Sequence, residues 1–203
     1  CAALEAQHTK PTPMLDRFVQ RFRRKSHAIA QSKDFVIENE RITVARKDVF
    51  ASDPVNLVRL FHFAAILNRA IHPDATRLVT QSLRLADAKL RSDAEANRLF
   101  VEILISKGAP EIVLRRMNEA GLLGRFIPEF GRVVAMMQFN MYHHYTVDEH
   151  LIRSIGALTE IEAGRHAEEL PVAHEIMPMI RNRRILYVAL FLHDVAKGRP
   201  EDH

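Results

Sequence analysis

The sequence predicts a mainly helical protein, a helical bundle with a small β-hairpin near its N-terminus. Its 203 residues are 47% apolar and include no tryptophan and only seven glycines. Alanine, leucine, isoleucine and arginine are plentiful, and this composition favours helices. Apolar residues recur at helical spacing through most of the chain. A single segment, Asp34–Val44, shows a clear β pattern instead.

The composition also limits the class of protein. The single cysteine, Cys1, excludes an internal disulfide framework and predicts a reducing, cytoplasmic location. No apolar run approaches membrane-spanning length, so we expect no membrane partner. The net charge of +4 is mild, and it does not favour a nucleic-acid partner, which usually meets a concentrated basic face. The chain lacks an initial Met and stops just after a motif, so we expect it to be a piece of a longer protein.

The N-terminal part contains the predicted hairpin. Cys1–Gln7 and Met14–Arg24 show short helical patterns, and the second ends in a basic run that we interpret as a solvated helix end or linker. In the hairpin, Phe35–Ile37 and Ile42–Val44 flank the polar residues Glu38–Arg41.

Helices follow the hairpin, and prolines and capping residues mark where they begin. We predict helices at residues 54–67, 73–90, 92–106, 110–120 and 133–140, with an irregular connection at 122–130. Met136 and Met137, in the last of these, are expected to fill a core. His62 and His72 lie among apolar residues, and we interpret both as core or surface histidines and not as metal ligands.

A capped helix is predicted to begin at Val147. Thr146 and Glu149 fit a capping box, in which each side chain binds a backbone N–H of the other residue. A buried stripe follows at helical spacing, formed by Val147, Leu151, Ile155 and Leu158. His150 borders this stripe and is therefore expected to face the interior, or nearly so, from the first turn.

The most informative segment is Ile185–His203. It begins with an apolar run, Ile185–Leu192, which predicts a buried helix end or a buried strand. His193 and Asp194 follow directly, and such a pair at the end of a buried segment is costly unless something compensates it. A divalent cation compensates such a pair, because neutral imidazole and carboxylate both bind it. Gly198, after Lys197, is predicted to cap the helix end.

These residues resemble two nested groups of enzymes. A first histidine on an early helix followed by a His-Asp doublet resembles the HD superfamily of metal-dependent phosphohydrolases. The segments YTVDEHLIRSIG and LHDVAKGRPEDH are similar to the bifunctional uridylyltransferase/uridylyl-removing enzymes of the bacterial nitrogen regulatory protein PII. The segments DFVIENERITV and DVFASDPVNLVRLFHFA resemble the middle region of the same enzymes, so the resemblance extends over essentially the whole chain.

The resemblance implies a domain order and an activity. It implies the tail of a nucleotidyltransferase region at 1–48, a helical linker domain at 49–132 and the N-terminal part of an all-helical HD domain at 133–203. In this family the HD domain hydrolyses the bond between UMP and a tyrosine of uridylylated PII, and glutamine acts through ACT domains, which lie outside this chain. The chain also lacks the Gly-Ser and paired Asp signature of the transferase.

The resemblance also implies the residues of the site. His150, His193 and Asp194 would hold a divalent metal, Mg²⁺ or Mn²⁺, with His203 as a further candidate ligand. His193, Asp194 and Lys197 are the implied catalytic residues. Lys197 would neutralise developing phosphate charge or, alternatively, complement the helix end. A later Asp ligand of the family falls beyond His203, so we expect these 203 residues alone to bind metal weakly and to be poorly active.

Two other interpretations of the sequence stay open. One is a different HD phosphohydrolase that acts on nucleotides or RNA ends and shares every metal residue. The other is a helical regulatory or docking module without catalysis, in which the His-Asp pair is structural. The cost of burying such a pair together with His150 argues against this second alternative.

Overall fold

The computed structural model describes residues 26–29, 32–137 and 145–198. Within these residues the chain is mainly helical with a small antiparallel sheet, so the predicted fold class is confirmed. The strands are β1 Ser26–Ala28, β2 Phe35–Glu38 and β3 Arg41–Val44. The helices are α1 Val49–Ser52, α2 Asn56–Leu67, α3 Pro73–Gln81, α4 Ala88–Ser92, α5 Ala94–Leu104, α6 Pro110–Glu119, α7 Leu122–Phe126, α8 Pro128–Val133, α9 Val147–Glu162, α10 Pro171–Ile176 and α11 Arg183–Leu192. Short 3₁₀ turns lie at Leu83–Leu85, Met177–Met179 and Val195–Gly198.

The predicted hairpin is confirmed as β2 and β3, which pair from Phe35↔Val44 to Glu38↔Arg41. Asn39 and Glu40 form the turn with φ values of 48° and 64°, as a tight two-residue turn between twisted strands requires. β1 pairs with β2 and makes the sheet three-stranded. Sequence reasoning missed β1 because a three-residue strand is too short to show alternation.

The free edge of β3 is joined to the start of α3. The Ile42 N–H donates to the Ala70 carbonyl, and the His72 N–H donates to the Ile42 carbonyl, each at 2.8 Å. The His72 ring then accepts the Asp74 N–H at 3.2 Å and so caps α3. His72 therefore has a structural role at the point where the sheet meets the helices.

Three predicted segments have a different structure. The helix predicted at 73–90 breaks after Gln81, because the Asp87 carboxylate caps a new helix, α4. The connection predicted as irregular at 122–130 contains α7 and most of α8. The helix predicted at 133–140 does not form in its described part, because α8 ends at Val133 and Ala135 has a φ of 58°. Met136 is 38% exposed and Met137 51% exposed, so the prediction that they fill a core is wrong.

Two glycines allow α7 and α8 to cross closely. A methyl group added at Gly131 would lie 2.6 Å from the Gly124 carbonyl oxygen, and one added at Gly124 would lie 2.9 Å from the Gly131 Cα. Both contacts are with backbone, which cannot rotate away. The close approach seats Phe126 and Phe130, which are both buried.

The apolar run at Ile185–Leu192 lies in α11, but the prediction that the run is buried is wrong. Ile185 is 64% exposed and Leu192 39% exposed, whereas Tyr187 and Phe191 are buried. The Phe191 ring stacks on Phe130, with centroids 5.3 Å apart, and meets Phe100 edge-on at 5.6 Å. α11 is thus held by one face in the described structure, although its sequence has no polar face.

α9 and α11 form an antiparallel pair. Glu162, the last residue of α9, accepts two hydrogen bonds from Arg183, the first residue of α11. His150, in the first turn of α9, meets His193 directly after α11. Each end of the pair is therefore marked by a polar contact between the two helices. No helix in the described ranges is long and apolar enough to cross a bilayer.

We predict that Gly131→Ala destabilises the protein, because the new methyl must push α7 away from α8. The expected loss in the free energy of unfolding is about 1–3 kcal/mol, measured by urea denaturation. Gly108→Ala is the matched control, since its methyl would meet only the Ala65 carbonyl oxygen, at 3.3 Å. Equal losses in the two variants would contradict the close crossing of α7 and α8.

We also predict that the contribution of Glu162 to stability is lost in acid. The Arg183 hydrogen bond holds the pKa of Glu162 below its ordinary value of 4.5, although burial opposes this. Because the folded-state pKa is depressed, the carboxylate stabilises the fold above about pH 4.5, and this contribution disappears as the pH falls through the folded-state pKa. Glu162→Gln should therefore lower Tm at pH 7, and the difference from wild type should shrink in acid. A difference that grows in acid would contradict the prediction.

Candidate metal centre

Three side chains that can bind a metal converge where the ends of α9 and α11 meet. The Nε2 atoms of His150 and His193 lie 3.3 Å apart. Oδ2 of Asp194 lies 3.8 Å from Nε2 of His150 and 3.6 Å from Nε2 of His193. This is the one group of three or more His, Cys, Asp or Glu side chains with metal-ligand spacing among the described residues.

The first turn of α9 is fixed from outside the helix. It begins at Val147 as predicted, but the predicted capping box is wrong, because Thr146 makes no side-chain capping bond. Asp148, only 6% exposed, accepts the Ala135 N–H at 3.1 Å and the Asn118 side-chain amide at 2.8 Å. These bonds tie the turn that carries His150 to α6 and to the end of α8.

Glu149 is also engaged across this boundary. Its carboxylate binds Arg115 of α6, and Arg115 also binds Glu111 at 2.8 Å. Glu149 is therefore directed toward α6 and not back to the helix start, which explains why the capping box does not form. The sequence pattern does not show Asp148 and Glu149 as anchors, because their partners on α6 and after α8 are 13 to 34 residues away.

His193 is oriented by its own helix. Its Nδ1 lies 2.6 Å from the Leu190 carbonyl oxygen, and a carbonyl can only accept, so Nδ1 carries the hydrogen. In the neutral ring, Nε2 then carries the lone pair. Such a second hydrogen bond commonly orients a metal-binding histidine. The imidazole thus presents Nε2 to His150 and Asp194.

Lys197 supplies positive charge beside the carboxylate. Its Nζ donates to Oδ2 of Asp194 at 2.6 Å. Burial opposes ionisation of Asp194, but the Lys197 hydrogen bond and the nearby histidines bring the pKa of Asp194 below its ordinary value. Asp194 is therefore a carboxylate at neutral pH. Lys197 lies in the 3₁₀ turn that follows α11, five residues after the end of α11 at Leu192.

The donor set fits a divalent cation. Two ligand atoms about 2.1 Å from one ion lie roughly 3.0 Å apart at an octahedral angle and roughly 3.4 Å apart at a tetrahedral angle. The separations of 3.3, 3.6 and 3.8 Å between the three atoms are close to these values. Two imidazoles and one carboxylate suit Mn²⁺, Zn²⁺ or Fe²⁺ by ligand type, and Mg²⁺ would take fewer nitrogen ligands.

The 3₁₀ turn after the doublet packs against α8. A methyl at Gly198 would lie 2.8 Å from the Arg132 Cβ, so residue 198 must be small for this contact. The prediction that Gly198 caps α11 is wrong, because α11 ends six residues earlier, at Leu192. Gly198 instead ends the 3₁₀ turn. His203, the further candidate ligand, lies outside the described residues, as do the two N-terminal helical segments and their basic run.

Comparison with protein families gives one match within the chain. Residues 35–126 match the family model described as the uridylyltransferase GlnD third domain. This stretch is similar to the third domain of GlnD-type uridylyltransferases and supports the interpretation of the chain as a fragment of such an enzyme. This confirms the resemblance on which the sequence interpretation depends, over a stretch that starts at the first residue of β2 and ends at the last residue of α7.

The stretch that matches the GlnD third domain does not contain His150, His193 and Asp194, which we call the metal-binding triad because they could hold an ion, but it contacts α11. Phe100 of this domain packs on Phe191, and the Ile105 carbonyl accepts a hydrogen bond from Arg183. His150, His193, Asp194 and Lys197 all follow the matched stretch. Their roles, and the domain boundaries predicted at residues 48 and 132, stay predictions.

We predict that Asp148→Ala weakens the anchor of α9. The change leaves the Ala135 N–H and the Asn118 amide without their acceptor, at an expected cost of about 1–3 kcal/mol in the free energy of unfolding. Asp148→Asn keeps the size and one acceptor, so it should cost less. Urea denaturation of both variants measures the difference, and an unchanged stability in Asp148→Ala would show that the anchor contributes nothing.

Proposed function

We propose that residues 133–203 belong to an HD-type hydrolase that removes UMP from uridylylated PII in a reaction that depends on a divalent metal, Mg²⁺ or Mn²⁺. The observation that carries this proposal is the convergence of His150, His193 and Asp194 from two helices. The GlnD-type third domain in the same chain supports the substrate class. UMP bound to a tyrosine oxygen is a phosphodiester, which is the bond class that HD-type sites hydrolyse.

The three side chains would hold the ion, and each has a feature that suits the task. Asp194 is ionised at neutral pH, since its pKa lies below the ordinary value. His193 presents Nε2, since Nδ1 donates to the Leu190 carbonyl. His150 is on the firmly anchored first turn of α9. When bound, a divalent ion supplies Lewis acidity at the phosphoryl group and lowers the pKa of a water molecule.

Lys197 is the residue that we assign to the phosphoryl charge. Its ammonium group is held within 2.6 Å of Asp194, so it lies at the edge of the metal-binding triad. A phosphoryl oxygen that enters the triad adds negative charge where this ammonium group already lies. A fixed cation of this kind stabilises the transition state more than it would in water.

The resemblance extends the proposal beyond these residues. It adds His203 and a later Asp as further ligands and assigns glutamine control to domains outside the chain, while the single cysteine supports a cytoplasmic location. The proposed reaction involves neither nucleic acid nor a membrane. Each of these statements is part of the proposal.

The decisive test is UMP release from uridylylated PII in the presence of Mn²⁺ or Mg²⁺. The assay uses a chain that continues beyond His203, because the resemblance places a further Asp there. His193→Ala should reduce release by about 100-fold or more, as removal of a metal ligand does. His166→Ala is the matched control, because His166 pairs with Glu169 on the surface and is expected to leave release unchanged.

Two outcomes would contradict the proposal. One is a folded, metal-loaded wild type that releases no UMP, and a screen of free nucleotides and RNA ends would then test the other HD chemistry. The other is equal release by the wild type and by His193→Ala, which would make the His-Asp pair structural. Circular dichroism of each variant separates loss of activity from loss of fold.

A further inference from the structure

Far from the metal-binding triad, α9 and α11 are joined by a compact polar cluster, which we call the clamp: Glu162, Arg183 and Tyr187. Arg183 donates to both carboxylate oxygens of Glu162, one of these bonds being 2.6 Å long. The Tyr187 hydroxyl donates to the same carboxylate at 2.8 Å. The Arg183 guanidinium also lies 4.6 Å from the centre of the Tyr187 ring. Each member of the clamp thus contacts the other two.

The clamp also reaches the GlnD third domain and the interior. Arg183 donates to the Ile105 carbonyl, directly after α5. The Tyr187 ring is fully buried, and its hydroxyl lies 3.3 Å from the Thr159 hydroxyl. Burial raises the pKa of Tyr187 above its ordinary value, so the hydroxyl keeps its hydrogen at neutral pH. The start of α11 is thereby held by α9 and by the end of α5.

The position of the clamp affects the triad because α11 is a single short helix that moves as a rigid unit. Arg183 and His193 lie at opposite ends of it, about 15 Å apart at 1.5 Å per residue. A helix can slide along its axis or rotate about it when one end is released, and either movement displaces the group at the other end. The three ligand atoms at the triad fit an ion only within a few tenths of an ångström, so a small displacement changes their fit.

An ordinary surface ion pair would not have this consequence. The same helix α9 provides one for comparison, because Glu160 binds Arg165 just beyond the C-terminal end of α9. That pair is exposed, and it joins α9 only to the turn that follows. Exposed pairs of this kind contribute little to stability. The clamp differs because its hydrogen bonds cross from α9 to α11 and to α5.

We propose that Glu162, Arg183 and Tyr187 are positioning residues, which fix α11 along α9 and thereby set the spacing of His150, His193 and Asp194. This inference rests on the proposed metal site. It makes the clamp a second requirement for metal affinity, located at the opposite end of the helix pair and formed partly by the GlnD third domain. Coupling of this kind is reciprocal, so metal binding also strengthens the clamp.

The test measures Mn²⁺ affinity and not turnover. Free Mn²⁺ is followed by electron paramagnetic resonance as each protein is added, and the wild type is the same chain continuing beyond His203 that the UMP assay uses. Glu162→Gln and Tyr187→Phe should raise the Kd for Mn²⁺ about threefold to tenfold, the range expected of remote coupling. Tyr187→Phe keeps the buried ring and its contact with Arg183, so its fold is expected to survive. Glu160→Gln, the matched control, should leave the Kd unchanged.

The outcomes separate this inference from the proposed function. If the wild type binds Mn²⁺ and both clamp variants bind it with the same Kd, the positioning role is wrong and the metal site stands. The same conclusion holds if the variants lose thermal stability without a change in Kd, because a purely structural role predicts that result. If the folded wild type binds no Mn²⁺ at millimolar concentration, the metal site and the positioning role are both wrong.

Discussion

The structure around the candidate site depends on the packing of Phe191 between Phe130 and Phe100. α11 has few other deeply buried side chains, so this aromatic contact and Tyr187 hold the helix against the core. Aromatic pairs in offset or edge-on geometry add to the hydrophobic energy and restrict orientation. Phe191 lies two residues before His193. The packing of the Phe191 ring therefore fixes the direction in which the His193 imidazole projects from the helix. The close crossing at Gly124 and Gly131 places Phe130, and so it contributes to the site from a distance.

The contacts of α11 also show how the two parts of the chain depend on each other. Phe100 and Ile105 belong to the stretch that matches the GlnD third domain, whereas the triad lies after it. Phe100 supports the C-terminal end of α11 and Ile105 binds its first residue. The helix that carries the His-Asp doublet therefore packs against the stretch that matches the GlnD third domain, through one aromatic contact and one hydrogen bond to the backbone.

The sequence indicates which side chains could form the candidate site more directly than it indicates the scaffold, and the roles of those side chains stay predictions. His150 was found because helical spacing placed it beside a buried stripe, and His193 and Asp194 because an apolar run ended in them. Those are local signals, and the hairpin was predicted for the same reason. The Gly124–Gly131 crossing and the Asp148 anchor depend on residues that meet only after folding, so no local pattern shows them. The exposed apolar side chains of α11, such as Ile185, are not evident from the sequence, because an apolar run does not show which of its residues will pack against the core.

A cation at His193 and Asp194 is favoured by geometry and not by burial. The His193 side chain is 39% exposed, and Asp194 already has Lys197 as a partner. Burial therefore does not require a metal. A bound cation is favoured because three donor atoms approach one another from two separate helices, with the two imidazole nitrogens 3.3 Å apart. Two neutral rings can share a hydrogen at that distance, but only a cation uses both lone pairs and the carboxylate together.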